Sequence, residues 1–171
     1  AGDGFTRTRA IAPRGHAVGV ASETLGPKTF EPRGCFMVVG PSGSGRTTAL
    51  ATMARSLDRF NGTADLYLFT PRKRSAVDDD PLDGACEARV GLLERVDDLG
   101  GSTAENVLTT LVKACLDNDQ FVIAEGEAQF FGSNFGLAGV LKTSRSGLSL
   151  HPDGNEGHPV FRANLPALKR S

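Results

Sequence analysis

The stretch Cys35-Phe36-Met37-Val38-Val39-Gly40-Pro41-Ser42-Gly43-Ser44-Gly45-Arg46-Thr47-Thr48 decides the fold of this chain. An apolar run of strand length stops abruptly at Gly40, as in strands buried on both faces of a parallel sheet. A glycine-rich loop follows, and then a helical stretch, Thr47–Leu57. In that stretch Leu50, Met53, Ala54 and Leu57 share one face, while Arg55 and Arg59 point elsewhere. Strand, loop and helix in this order have the context of a phosphate-binding loop, G-x-x-x-x-G-K-[ST]. Glycines let the backbone turn so that its N–H groups point at phosphate oxygens, and the helix N-terminus adds partial positive charge.

The candidate nucleotide-binding residues are therefore Gly40, Pro41, Ser42, Gly43, Ser44, Gly45, Arg46, Thr47 and Thr48. Thr47 offers a hydroxyl to Mg²⁺. The loop departs from the pattern once, because Arg46 stands where lysine is expected. A lysine ammonium is a compact point charge, whereas a guanidinium is planar and bulkier, so the exchange is not conservative. ATP and Mg²⁺ are the expected cofactors, with binding weakened or lost and catalysis in doubt.

Further apolar runs recur outward from this unit: Leu66–Phe69, Val90–Leu93, Phe121–Ala124 and a weaker Gly147–Leu150. A helix lies between the third and fourth strands, with Val107, Leu108, Leu111, Val112 and Cys115 on one stripe. Ser102 and Glu105 have capping-box spacing at its start. A second helix is expected over Phe135–Thr143. Alternating strands and helices predict an α/β fold with a mostly parallel sheet flanked by helices. Pro71–Arg89 is awkward: it carries Arg72-Lys73-Arg74, Asp78-Asp79-Asp80 and Pro81 and shows no helix pattern, so it is either an irregular loop or, the favoured reading, a place where residues are missing from the chain.

The partner of a phosphate loop is an apolar strand that ends in acid. Val90-Gly91-Leu92-Leu93-Glu94-Arg95 is the best match. Glu94 takes the position that holds the metal shell, as a degenerate catalytic and metal residue, but Arg95 takes the next position and cannot act as a base. Asp97 and Asp98 lie nearby and could substitute for the missing acid, with a solvated acidic turn as the favoured reading. Glu125 and Glu127 follow the fourth strand at the sheet edge where ligands bind in this architecture. A catalytic role for Glu125 competes there with that of a polar strand-end residue. Lys142 and Arg145 read as a solvated helix face, with a phosphate or a neighbouring subunit as the alternative.

Composition bounds the rest. The chain has 171 residues, 21 of them glycine, and a formal net charge of −1. The glycine excess is aperiodic, which excludes collagen, and the charge excludes a strongly basic DNA-coating protein. No apolar run is long enough to span a membrane as a helix. Cys35, Cys86 and Cys115 lack metal or disulfide spacing, and a reducing compartment is expected. His16, His151 and His158 read as solvated loop residues. The start without Met and the abrupt end suggest a piece of a longer protein. Residues 1–171 form one domain in this reading, with an N-terminal hairpin arm at 1–34 and a core at 35–171.

Several stretches resemble the FtsK/SpoIIIE family of P-loop ATPases, closest to the EccC-like modules of actinobacterial type VII secretion. They are His16–Val20 with Leu25-Gly26-Pro27, Phe36–Leu57 (FMVVGPSGSGRTTALATMARSL), Phe121–Glu127 (FVIAEGE) and Lys142–Phe161 (KTSRSGLSLHPDGNEGHPVF), continuing over Arg162 to Pro166. The resemblance implies a RecA-like fold and tandem ATPase modules in one chain. It also implies a cytoplasmic domain of a membrane-associated motor, a ring oligomer, and capture of small helical secretion substrates through a C-terminal signal. Arg46 and Arg95 depart from the active pattern, so it implies a degenerate, weakly active or inactive nucleotide-binding module. The alternative readings are an FtsK-type DNA translocase, which needs basic DNA-contacting loops this near-neutral chain lacks, and a small-molecule kinase.

Overall fold

The computed structural model describes residues 16–20, 26–61, 66–69, 90–152, 155 and 157–165. Strands β1 (His16–Val20) and β2 (Pro27–Phe30) form an antiparallel hairpin, as the arm's apolar pieces suggest. Next come β3 (Cys35–Val39), helix α1 (Arg46–Asn61), β4 (Leu66–Phe69), β5 (Val90–Leu93) and a 3-10 turn at Val96–Leu99. Helix α2 (Thr103–Asp117), β6 (Phe121–Gly126), α3 (Ala128–Gly132) and α4 (Gly136–Leu141) follow. A second 3-10 turn at Lys142–Ser144, strand β7 (Ser146–Ser149) and α5 (Gly157–Phe161) complete the described elements.

Among the described residues, the main sheet has five strands in the order β4-β5-β6-β3-β7, and every neighbouring pair is parallel. The α/β reading of the sequence holds. Successive residues of a strand point to opposite faces. Cys35, Met37 and Val39 enter one core cluster with Val122, Ala124, Leu111, Val112 and Leu137. Phe36 and Val38 enter the other, with Leu50, Met53 and Leu57 of α1 and with Phe121 and Ile123 of β6. Helices thus cover both faces, which is why these strands are apolar throughout. The hairpin joins the α1 side through Phe30, which stacks on Phe121 at 5.8 Å between ring centroids.

Several local expectations change. The chain after β6 forms α3, which carries too few residues to show a periodic stripe, and α4 is shorter than the expected Phe135–Thr143 because its last residues tighten into a 3-10 turn. Val107 is 48% exposed, so the buried stripe of α2 is Leu108, Leu111, Val112 and Cys115. Ser102 does not cap α2 with its side chain; Ser102 Oγ donates to Leu99 O at 2.6 Å. Glu105 instead accepts from Gly101 N–H at 2.7 Å and from Leu137 N–H at 3.3 Å, tying the start of α2 to the start of α4.

Lys142 is buried and not solvated: its Nζ donates to Asn134 Oδ1 at 2.9 Å and to Gly132 O at 3.4 Å. Burial, with Arg145 and Arg162 nearby, pushes its ammonium below the usual lysine range. His16 is buried in β1, whereas His151 and His158 are exposed as expected. Cys35 and Cys115 are both buried. Pro71–Arg89, with its charge runs and Cys86, lies outside the described residues. Among the described residues, no helix is long and apolar enough to cross a membrane.

Candidate functional site

The loop after β3 closes at the carboxyl end of the parallel sheet, where crevices form in such folds. Gly43 and Gly45 adopt φ of 78° and 93°, which a side chain would strain. Among the described residues, the N–H groups of Gly43 and Gly45 donate no hydrogen bond, and the first turn of α1 contains no acid. The backbone half of an anion cradle is therefore open.

The side-chain half is engaged. In β6, Phe121 and Ile123 point to the α1 face, and the two-residue period places Glu125 on that same face at the strand's end. Glu125 is fully buried. Its Oε2 lies 3.1 Å from Arg46 Nε as an ion pair, outside hydrogen-bond geometry. Its Oε1 accepts from Arg95 N–H at 3.0 Å and from the Thr47 hydroxyl at 3.4 Å. Burial raises the Glu125 carboxyl above the usual carboxylate range; Arg46 and the Arg95 N–H oppose that rise, and Asp97 and Glu94 add to it.

Arg46 is itself buried and holds a second acid, with Nη1 3.3 Å from Asp97 Oδ1. The same Asp97 oxygen accepts from Glu127 N–H at 3.2 Å. This approach needs Gly126, because a Cβ there would lie 2.9 Å from Asp97 Oδ1 and 2.8 Å from Val96 Cγ2. Arg95 sits in the left-handed region at φ 51°, and its guanidinium pairs with Asp98.

These residues enclose a cleft of about 400 Å³, lined by the loop, Arg95, Asp97, Asp98, Glu125 and Glu127. It holds four carboxylates against two guanidiniums. Of the residues named from the sequence, the structure brings Ser42, Gly43, Gly45, Arg46, Thr47, Thr48, Arg95 and Glu125 together, while Gly40, Pro41 and Ser44 of the loop do not line the cleft. Glu94 is half-buried beside the cleft and is absent from its lining. Asp97, read as a solvated turn, is a central member. No spacing rule marks it, since a 3-10 turn of four residues leaves no periodic signal. Lys142 and Arg145 lie elsewhere, and Arg145 Nη1 donates to Val160 O at 3.0 Å. A larger hollow of about 620 Å³ at the opposite end of the sheet is bounded by Phe30, Phe36, Ser144 and Gly147, with no comparable charge cluster.

The loop geometry fits a phosphate through its open backbone N–H groups. Of the two residues expected to hold a cation, Thr47 lines the cleft but its hydroxyl donates to Glu125 Oε1, and Glu94 does not line it; no group of three or more metal-ligating side chains occurs among the described residues. No protein-family model matches the chain, and no curated protein does. Among solved structures, the cytoplasmic domain of EssC is similar, with a TM-score of 0.57 and 20% sequence identity. The likeness covers 85% of this chain and 37% of that one, so this chain spans just over a third of the EssC domain it matches, and the two share a fold.

Proposed function

We propose that this domain is a degenerate nucleotide-binding module of a secretion motor of the FtsK/SpoIIIE type. It binds ATP with Mg²⁺ weakly through Gly40–Thr48 and hydrolyses it slowly or not at all. The carrying observation is the split loop: Gly43 and Gly45 line the cleft with N–H groups that donate no hydrogen bond among the described residues, while Arg46 is tied down by Glu125 and Asp97. The open half supports phosphate binding. The tied half supports loss of turnover, because Arg46 is not free to follow charge developing on a transferred phosphoryl group.

Arg95 supports the same reading. It occupies the position where a base would orient water, and it pairs with Asp98. Glu94 is the remaining metal-shell acid of the motif, at the edge of the cleft. The fold shared with the cytoplasmic domain of EssC supports a module of a larger protein; a place among tandem ATPase modules of a membrane-associated motor that handles small helical substrates rests on the sequence resemblance.

Calorimetry of the purified domain with ATP and Mg²⁺ tests this reading. Weak binding, reduced at least tenfold by Thr47→Ala, with no turnover above background, is expected. Turnover at motor rates that Thr47→Ala abolishes would overturn the degenerate reading. Salt-sensitive binding of duplex DNA would favour a DNA translocase.

A further inference from the structure

We infer that Glu125 and Asp97 form an internal latch on Arg46, standing in for a phosphate at the side-chain half of the loop and setting how tightly the loop takes a nucleotide. This rests on the reading of the loop as a nucleotide site and adds what limits its affinity.

Three observations carry it. First, the two side chains of the loop motif that approach a bound phosphate and its cation, those of Arg46 and Thr47, are both directed at Glu125, at 3.1 Å and 3.4 Å. Second, the guanidinium reaches two acids at once, through Nε to Glu125 and through Nη1 to Asp97. A planar fork offers Nε and Nη1 from separate fixed positions, whereas a lysine ammonium is one compact point charge, which gives the departure at position 46 a physical reason. Third, the latch is built in. Glu125 is fully buried at the end of β6 and fixed by Arg95 N–H, and Asp97 is held by Glu127 N–H above Gly126.

The consequence is a competition. A phosphate entering the loop gains the open N–H groups of Gly43 and Gly45 but meets four carboxylates, and it reaches Arg46 only when the latch opens. Removing one latch charge both frees the guanidinium and lowers the repulsion, so affinity rises while stability falls. A purely structural ion pair predicts no gain in affinity.

The test measures binding of Mg²⁺-ATP and, separately, of inorganic pyrophosphate to wild type, Glu125→Gln and Asp97→Asn by calorimetry, with urea unfolding alongside. Glu125→Gln keeps an oxygen for Arg95 N–H and Thr47. Asp97 is partly exposed, so Asp97→Asn guards against a Glu125 variant that fails to fold. The expected result is tighter binding of both probes, about tenfold or more for Glu125→Gln and severalfold for Asp97→Asn, with reduced stability. Wild type that binds while neither variant binds more tightly overturns the latch and leaves the nucleotide site standing. Absence of binding at millimolar probe in wild type and both variants overturns the nucleotide site and the latch together. Binding by the variants alone supports both.

Discussion

Arg46 Nε and Glu125 Oε2 lie 3.1 Å apart, joining the first residue of the loop helix to the penultimate residue of the strand beside it. Both are buried, so their attraction is little screened and their joint removal from water is costly. Breaking such a pair from one side strands a charge. Arg46→Met is therefore expected to lower stability by about 3 kcal/mol at neutral pH. Adding Glu125→Gln to it should recover much of that loss. Urea unfolding of the two single variants and the double variant gives the coupling energy. A cost below about 1 kcal/mol for Arg46→Met would show that the pair does not hold the loop.

Gly126 is expected to be intolerant of a side chain. A Cβ there would sit 2.8 Å from Val96 Cγ2 and 2.9 Å from Asp97 Oδ1. Gly126→Ala should displace the 3-10 turn, pull Asp97 from Arg46 and cost about 1–3 kcal/mol through overpacking. Thermal unfolding reads the loss. An unchanged melting temperature would mean that the turn yields freely.

Glu105 bonds Gly101 N–H and Leu137 N–H with its two carboxylate oxygens, one to each. Glu105→Ala removes both acceptors at once and is expected to cost about 1–2 kcal/mol. Glu105→Gln keeps acceptor capacity and should retain part of the stability. Equal loss in both variants would count against the hydrogen bonds as the cause.

Cys35 gives the molecule an alkaline limit. Burial, with the Cys115 thiol adding to it, raises the Cys35 thiol from 9.0 to about 12. The unfolded chain therefore loses this proton first, and the stabilisation present below pH 9 disappears as pH rises toward about 12. The slope approaches about 1.4 kcal/mol per pH unit inside that window. Lys142, shifted downward, contributes with the opposite sign below its usual 10.5, so the readout is the difference between wild type and Cys35→Ala. The variant's stability should fall less steeply across pH 9 to 11. Parallel curves would rule out Cys35 as the source.

Much of this fold was legible because burial on both faces leaves a simple signature: a continuous apolar run. Cys35–Val39 and Phe121–Ala124 showed it, and both became central strands. The phosphate loop was legible because its glycines have a fixed spacing and a required context. The partners of Arg46 were less so. Glu125 was visible as a strand-end acid, but its burial depends on a strand order that no local pattern encodes. Asp97 and Lys142 look solvated in the sequence because charged side chains usually are, and only tertiary contacts from distant segments reverse that. Short elements such as α3 leave too few residues for a period to show.

The Asp97 oxygen shared by Arg46 and Glu127 has a consequence for mutational order. Lysine at position 46 alone keeps the single positive charge but replaces a planar fork that reaches both acids with a compact ammonium on a different stem, so the geometry that joins Glu125 and Asp97 is lost. Neutralising position 125 first removes the need for the fork, and lysine then enters a site with fewer competitors. The two substitutions are therefore epistatic, and the accessible route back to an ordinary phosphate loop passes through position 125 before position 46.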